Sequence, residues 1–352
     1  MINHNQPNLY SKSIKDLNVC IKSKNLTTGK FVKKFENFFS QKYYKCGHSL
    51  LVSSGTSALY LAIKALKKRK KILRILVPTY ACSALLNAIY QAECEPVIAD
   101  IDFETFTLST DKIFKNIDII ILVNIFGSNP NIKNIKKKYP KSKIILDACH
   151  SIGMKIKSQS DIFLADIIIH SFYSTKIITC GHGGLVWSKN KKYIDFCKDF
   201  INFDFRKKYK IRFNFLITDF QASLLFDQLN NIENIRKIRN KIFLKYKNSI
   251  SKNLKIFSPY NLSTDIVYRS VLIFDKISKR NSLKKKLLKE NIKSIVPVEK
   301  FELLHNYKNL NKKNYKVSEN ISKKTLSLPM HLFLKKNDVN KICKILENFK
   351  WF

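Results

Sequence analysis

Residues 166–188, DIIIHSFYSTKIITCGHGGLVWS, constrain the fold more than any other stretch of this chain. An apolar run gives way to polar residues, Lys176 follows, and a glycine turn precedes a second apolar run. This pattern predicts a strand, a lysine-bearing loop, a glycine turn and another strand. A lysine between buried strands would need a carboxylate partner, and none occurs between Asp166 and Asp195. The pattern therefore favours a chemically active Lys176, since a lysine amine can form a Schiff base with an aldehyde cofactor.

A second informative turn, SSGTS, joins an apolar strand ending at Val52 to a helical pattern. The first backbone N–H groups of a helix have no partner within it and lie at the positive end of its dipole, so they suit a phosphate. Alternatively, Ser54, Thr56 or Ser57 only caps the helix. The turn alone leaves both interpretations open.

Asp147 follows the apolar run KIIL, at the predicted carboxyl end of a strand. Open parallel sheets bind ligands at this edge. An acidic residue here is also suited to capping a following helix. His150, three residues later, is either a ligand contact or a capping or core histidine.

Four segments resemble, in the same order, motifs of the DegT/DnrJ/EryC1/StrS aminotransferases: SSGTS, DACHSIG, SFYSTK with GHGG, and RFNFLITDFQA. Members of that family use pyridoxal 5'-phosphate (PLP) to aminate keto-sugar nucleotides. The resemblance implies that Lys176 forms the Schiff base with PLP and that Asp147 pairs with the pyridinium nitrogen, so both are expected to be catalytic. It also implies PLP-phosphate contacts from Gly55, Thr56, Ser57 and Ser171, a contact from His150 to the phenolic oxygen, and a contact from Asn214 to the phosphate of a partner subunit in a homodimer.

The chain departs from the family pattern at three positions. Cys82 occupies the place of the aromatic residue that stacks on the pyridine ring, so it is expected to border the cofactor without stacking on it. Tyr80 is a possible substitute for that ring. His182 replaces a glutamate, and Leu216 replaces an arginine that contacts substrate.

The resemblance implies an α/β chain with the fold-type-I PLP-transferase architecture. We expect a large, mostly parallel sheet domain over residues 1–240, beginning with two helices, and a small α+β domain over 241–352. The sequence also predicts a connecting helix before the strand at IDIIILV and one long amphipathic helix from about residue 219. His305, in the small domain, is either structural or part of the substrate site.

The charge is unusual, with 65 Lys and Arg against 26 Asp and Glu, a formal net charge of +39. Such an excess fits nucleic acid, an anionic membrane or a phosphorylated substrate. The lysines are spread along the whole chain without an arginine-aromatic cluster, which favours a compositional bias over a binding surface. We therefore expect no nucleic-acid or membrane partner. Eight cysteines without a C-x-x-C pair, no signal peptide, and no Cys/His cluster predict a cytoplasmic protein with free thiols and no metal site.

These observations predict a PLP-dependent aminotransferase that passes an amino group, with glutamate as donor, to a keto-sugar nucleotide for surface polysaccharide or amino-sugar biosynthesis. A non-catalytic PLP-binding or regulatory protein is an alternative, because three motif positions depart from the family. An aminotransferase acting on a non-nucleotide keto substrate is another. A nucleic-acid-binding protein would require the basic residues to be gathered on one face.

Overall fold

A seven-stranded sheet forms the centre of the computed structural model, which describes residues 1–9, 11–24, 26–67, 72–157, 160–251 and 254–349. The strands are β1 (His48–Val52), β2 (Arg74–Pro78), β3 (Glu95–Ala99), β4 (Ile119–Val123), β5 (Lys143–Asp147), β6 (Ile167–Ser171) and β7 (Gly184–Ser188). Their spatial order is β1-β7-β6-β5-β4-β2-β3. Strands β2 to β6 run parallel, whereas β7 is antiparallel to β6 and to β1. The prediction of a mostly parallel α/β sheet is confirmed.

Helices pack against this sheet and against a smaller C-terminal one. They are α1 (Ser11–Lys22), α2 (Lys30–Phe38), α3 (Gly55–Leu66), α4 (Ala84–Gln91), α5 (Ile132–Lys138), α6 (Lys191–Ile201), α7 (Asp219–Ser223), α8 (Leu225–Asn230), α9 (Ile232–Asn248), α10 (Ile277–Lys289), α11 (Leu304–Tyr307), α12 (Lys316–Lys324) and α13 (Lys336–Glu347). Strands buried on both faces need continuous apolar runs, and every residue of β4, β6 and β7 is buried.

The two predicted N-terminal helices are present as α1 and α2, and α2 continues as a π-helical turn, Phe39–Tyr44. Phe35 and Phe39 of this segment are fully buried in the main core. The carboxylate of Asp219, at the start of α7, accepts the N–H groups of Gly29 and Val32 at 2.9 Å each. It therefore caps α2 and fixes the N-terminal helices to the later part of the chain.

Two of the predicted helices differ from the structure. Residues 101–109 form turns and an isolated bridge instead of a connecting helix, because Phe106 has a left-handed φ of 55°, which a right-handed helix does not contain. The long helix predicted from residue 219 is divided into α7, α8 and α9. Near the first break, the Gln228 side-chain amide donates a hydrogen bond to the Leu224 carbonyl. In a continuous helix that carbonyl would accept a backbone N–H group.

A smaller antiparallel sheet, in the order β10-β9-β8, lies in the C-terminal part. Its strands are β8 (Lys255–Ile256), β9 (Ser270–Ile273) and β10 (Thr325–Leu328). A second apolar core packs around it, including Leu272, Leu283 and Ile342. The predicted domain boundary at residue 240 falls inside α9 and remains a prediction. None of the described helices has the length and apolar character needed to cross a membrane.

Candidate active site

A cavity of about 530 Å³ opens at the carboxyl ends of the parallel strands. Val123, Asp147 and Ser171, the last residues of β4, β5 and β6, all line it. Side chains at this edge converge because neighbouring parallel strands end together. The volume lies within the range of roughly 300–1,000 Å³ typical of small-molecule sites.

The N-terminus of α3 forms one wall of this cavity. Ser54 is the N-cap: its hydroxyl accepts the Ser57 N–H at 3.0 Å, and its carbonyl accepts the Ala58 N–H at 3.0 Å. Within the described part of the chain, the N–H groups of Gly55 and Thr56 have no such partner, and both residues line the cavity. These two groups are the ones available to a phosphate. Ser57 is buried and does not line the cavity.

Glycines allow α3 to approach the strands closely. A Cβ atom on Gly55 would lie 2.8 Å from Cβ of Ser171. One on Gly184, at the start of β7, would overlap the Ser54 carbonyl. Because no side chain fits at either point, the helix start, Ser171 and the glycine turn after Lys176 are held together at one corner of the cavity.

Lys176 lies half-buried in the cavity with Asp147, although the two are 29 positions apart in the chain. Burial alone lowers the pKa of the Lys176 ammonium, but Tyr268, Cys149 and Asp147 together raise it above its ordinary value. Asp147, supplied by β5, is the carboxylate among these groups, and its effect on Lys176 comes after those of Tyr268 and Cys149. No helix follows Asp147, whose Oδ1 instead accepts the Cys149 N–H at 3.1 Å within a turn.

His150 stacks on Tyr268 with ring centroids 4.0 Å apart and an interplanar angle of 9°. The Phe126 N–H donates to its Nδ1 at 3.3 Å. Burial, followed by the charges of Lys176 and Arg269, lowers the pKa of His150 well below its usual value. The imidazole is thus neutral with its proton on Nε2, which makes Nε2 a hydrogen-bond donor.

Comparison with known proteins agrees with this geometry. The model of the DegT/DnrJ/EryC1/StrS aminotransferase family matches residues 7–347. The chain belongs to this family. It is 27% identical to a GDP-perosamine synthase of Vibrio cholerae, over 98% of each chain. It is 28% identical to a UDP-4-amino-4,6-dideoxy-N-acetyl-beta-L-altrosamine transaminase of Campylobacter jejuni, over 99% of each.

The fold is also that of solved aminotransferases. A putative sugar aminotransferase of Streptococcus pneumoniae in its PMP form superimposes with a TM-score of 0.88 at 21% identity, covering 99% of this chain and 98% of that one. PseC of Helicobacter pylori gives 0.86 at 20% identity, covering 99% of this chain and 100% of that one. The predictions of the family, the fold-type-I architecture and a PLP-dependent aminotransferase are confirmed.

Tyr268 and Arg269 are among the cavity residues that the sequence analysis did not single out. Both directly precede β9, in a mostly apolar stretch. Tyr268 donates its hydroxyl to the Thr175 carbonyl at 3.1 Å, and Asn5 donates to the same carbonyl at 2.9 Å. The loop before Lys176 is therefore anchored by the C-terminal part and by the N-terminal segment. An arginine within an otherwise apolar run was the one available signal.

The departures from the family pattern have distinct surroundings. Cys82 is exposed and lines the cavity. Tyr80, the possible substitute ring, is fully buried against Phe106 and Phe126 and does not line it. His182 also lines the cavity, and Gln221 donates to its carbonyl at 2.8 Å.

Two further candidates lie outside the cavity. Asn214 is exposed in the segment before α7. His305 is fully buried, where it bonds Thr79 at 2.7 Å and Glu319 at 3.2 Å and stacks on Tyr315. These contacts favour a structural role for His305 over a role in the substrate site.

Proposed function

We propose that this aminotransferase passes an amino group from glutamate to the keto carbon of a nucleotide-linked sugar, for surface polysaccharide or amino-sugar biosynthesis. The observation that carries the proposal is the convergence of Lys176, Asp147 and the α3 N-terminus in one cavity. The names of the Vibrio and Campylobacter relatives contain GDP and UDP, which supports a nucleotide sugar as the acceptor.

The residues of the cavity fit PLP. The N–H groups of Gly55 and Thr56 and the adjacent Ser171 hydroxyl would hold the phosphate. The Asp147 carboxylate would hold a proton on the pyridine nitrogen, and Nε2 of His150 would donate to the phenolic oxygen. When bound, PLP supplies the carbonyl that condenses with amines and the ring that stores the electron pair of the broken C–H bond.

Lys176 is the proton-transfer residue of the proposed reaction, because it is the amine that lines the cavity beside Asp147. Its raised pKa favours the ammonium form of the free amine, so Nζ accepts a proton only in its neutral form and can donate one as the ammonium. Nζ would take the proton from the α carbon of glutamate in one half-reaction and return a proton to the sugar carbon in the other. The half-buried setting limits access of water to these steps.

We propose that the enzyme works as a homodimer in which Asn214 reaches the phosphate of the partner subunit. The segment around Asn214 supports this, since Phe205 and Ile211 are exposed and Tyr209 is 92% exposed. Apolar side chains concentrated on one exposed segment are typical of a protein interface. We also place the enzyme in the cytoplasm, where reducing conditions suit its eight free cysteines.

The experiment is a separation of the two half-reactions. Purified enzyme treated with L-glutamate should lose its visible cofactor absorbance and release 2-oxoglutarate. In a separate sample without glutamate, borohydride reduction should attach the cofactor to one peptide, containing Lys176. The glutamate-treated enzyme should then aminate one member of a panel of GDP-, UDP- and dTDP-linked keto-sugars.

The outcomes separate the alternatives. Attachment to another lysine would contradict the assignment of Lys176. A bound cofactor that glutamate and other amino donors leave unchanged would favour the non-catalytic alternative. Amination of a sugar phosphate but of no nucleotide sugar would show that the amino acceptor is not a nucleotide sugar.

A further inference from the structure

Arg269 lines the cavity, and one nitrogen of its guanidinium has no hydrogen-bond acceptor among the described residues. It lines the cavity together with Lys176 and His150. Its Nη1 atom is buried and has no hydrogen-bond partner among the described residues. A buried charged donor without an acceptor is costly, because lost hydration is not replaced. An oxyanion bound in the cavity would supply the acceptor.

The other described arginines all donate to oxygens, although Nε of Arg236 is, like Nη1 of Arg269, buried without a partner. Arg239, which is buried, donates to the carbonyls of Val267, Tyr268 and Met330. Each of the rest donates to at least one oxygen: Arg74, Arg206, Arg212, Arg236 and Arg280. The fold thus provides oxygen acceptors for arginines at structural positions and provides none for Nη1 of Arg269.

Aromatic rings hold the Arg269 guanidinium in place. Its Cζ lies 5.5 Å from the ring centroid of Tyr268 and 5.9 Å from that of Phe126. Contacts of this kind use the faces of the guanidinium and leave the in-plane N–H groups for other partners. Nζ of Lys176 lies 5.6 Å from the same Tyr268 ring. One substrate molecule can therefore reach both cations.

The carboxylates that line the cavity have other partners. Asp147 accepts the Cys149 N–H at 3.1 Å. Glu302 accepts the Glu299 N–H at 2.7 Å. Both are thus engaged with backbone groups, and neither forms an ion pair with Arg269 within the described part of the chain.

We propose that Arg269 binds an oxyanion of the substrate while Lys176 acts on its amino-bearing or keto carbon. The inference rests on the proposed aminotransferase function and adds a specificity-determining residue to it. The planar guanidinium suits a carboxylate and a phosphate equally, since both accept two parallel N–H bonds. The oxyanion is either a carboxylate of the amino donor or the diphosphate of the nucleotide sugar.

The test compares Arg269→Gln and Arg269→Lys with the wild-type holoenzyme and with Arg280→Gln. Arg280 donates to the Asn281 side chain on α10 and does not line the cavity. Arg280→Gln is therefore the control, because it removes one guanidinium outside the site. Isothermal titration would measure the dissociation constants of glutarate, GDP and UDP, which need no turnover. The rate at which glutamate removes the visible cofactor absorbance would be measured beside them.

Arg269→Gln should weaken one class of anion by roughly 10- to 150-fold, the effect of losing a hydrogen bond to a charged group. Arg269→Lys should recover part of this loss, because it keeps the charge without the planar fork. Arg280→Gln should match the wild type.

Weaker glutarate binding together with a higher KM for glutamate identifies the carboxylate as the oxyanion. Weaker GDP or UDP binding with an unchanged glutamate reaction identifies the diphosphate. If the Gln variant fails to retain PLP, the same comparison is made with the Lys variant. Unchanged binding of all three anions in a PLP-loaded variant overturns the proposal. A wild-type enzyme that binds these anions but does not transaminate would overturn the proposed function and leave the role of Arg269 standing.

Discussion

The Gly55→Ala variant tests whether the phosphate-binding corner is as tightly closed as the structure indicates. The added Cβ would lie 2.8 Å from Cβ and 3.0 Å from Oγ of Ser171. Carbon atoms in contact are about 3.5–4.0 Å apart, so the helix start and Ser171 would have to separate by roughly 0.7–1.2 Å. Overpacking of this kind costs about 1–3 kcal/mol. Gly55 does not need a positive φ, so backbone strain adds nothing to this cost.

The cost should appear in cofactor affinity, because the atoms that must move are the ones proposed to hold the phosphate. Titration of the apoprotein with PLP should show a dissociation constant roughly 5- to 150-fold higher than that of the wild type. Circular dichroism would establish that the variant is folded.

The double variant Gly55→Ala with Ser171→Gly is the matched control. Removing the Ser171 side chain leaves Cα of that residue as the nearest atom, at an ordinary 3.5 Å. The double variant should therefore bind PLP no more weakly than Ser171→Gly alone, since the two changes share one contact. Simple addition of the two single effects, or a Gly55→Ala variant that binds PLP like the wild type, would refute the reasoning.

The remaining predictions concern the other site residues. Asp147→Asn should retain PLP but lose at least about 100-fold in kcat, the scale for one preorganised electrostatic group; near-normal turnover would leave Asp147 only its turn-forming role. Inactive Lys176→Ala and Asn214→Ala enzymes should regain partial activity when their subunits exchange, and no recovery in a proven mixed dimer would contradict the shared site. His150→Gln should keep an unchanged acid limb of the pH–rate profile, because the lowered pKa already keeps His150 neutral; an acid limb that moves would show that the imidazole titrates. Cys82→Phe should slow loss of PLP during dialysis, since stacked rings gain about 0.5–1.5 kcal/mol; unchanged retention would show that another group already covers the cofactor.

The sequence was informative for site residues that follow strands of the large sheet. Lys176 and Asp147 follow apolar runs, and Gly55 lies between a strand and a helix, so local patterns predict their places at one sheet edge. At the start of α3, helix capping by Ser54 and phosphate binding by other N–H groups are compatible. Ser54 uses two of the helical N–H groups and leaves those of Gly55 and Thr56.

The rest of the site depends on contacts between distant parts of the chain. Asp147 influences Lys176 because β5 and β6 are neighbours in the sheet, a relation absent from the sequence around either residue. Tyr268 and Arg269 enter the cavity from the C-terminal part, where no glycine or motif marks them. The helix between β3 and β4 was predicted wrongly because Phe106 has a left-handed φ of 55°, a conformation that its residue type does not indicate.

The proposed binding of anions in the cavity depends on the groups that line it rather than on the net charge of +39. Surface lysines are screened beyond about 10 Å at 0.1 M salt, so those far from the cavity contribute little within it. Lys176, Arg269 and the N-terminus of α3 act at short range and from partly buried positions, where screening is weak. PLP brings a phosphate, and both proposed substrates bring further anionic groups. Arg269 therefore gives the cavity a place for a second anion after the α3 N-terminus has bound the first.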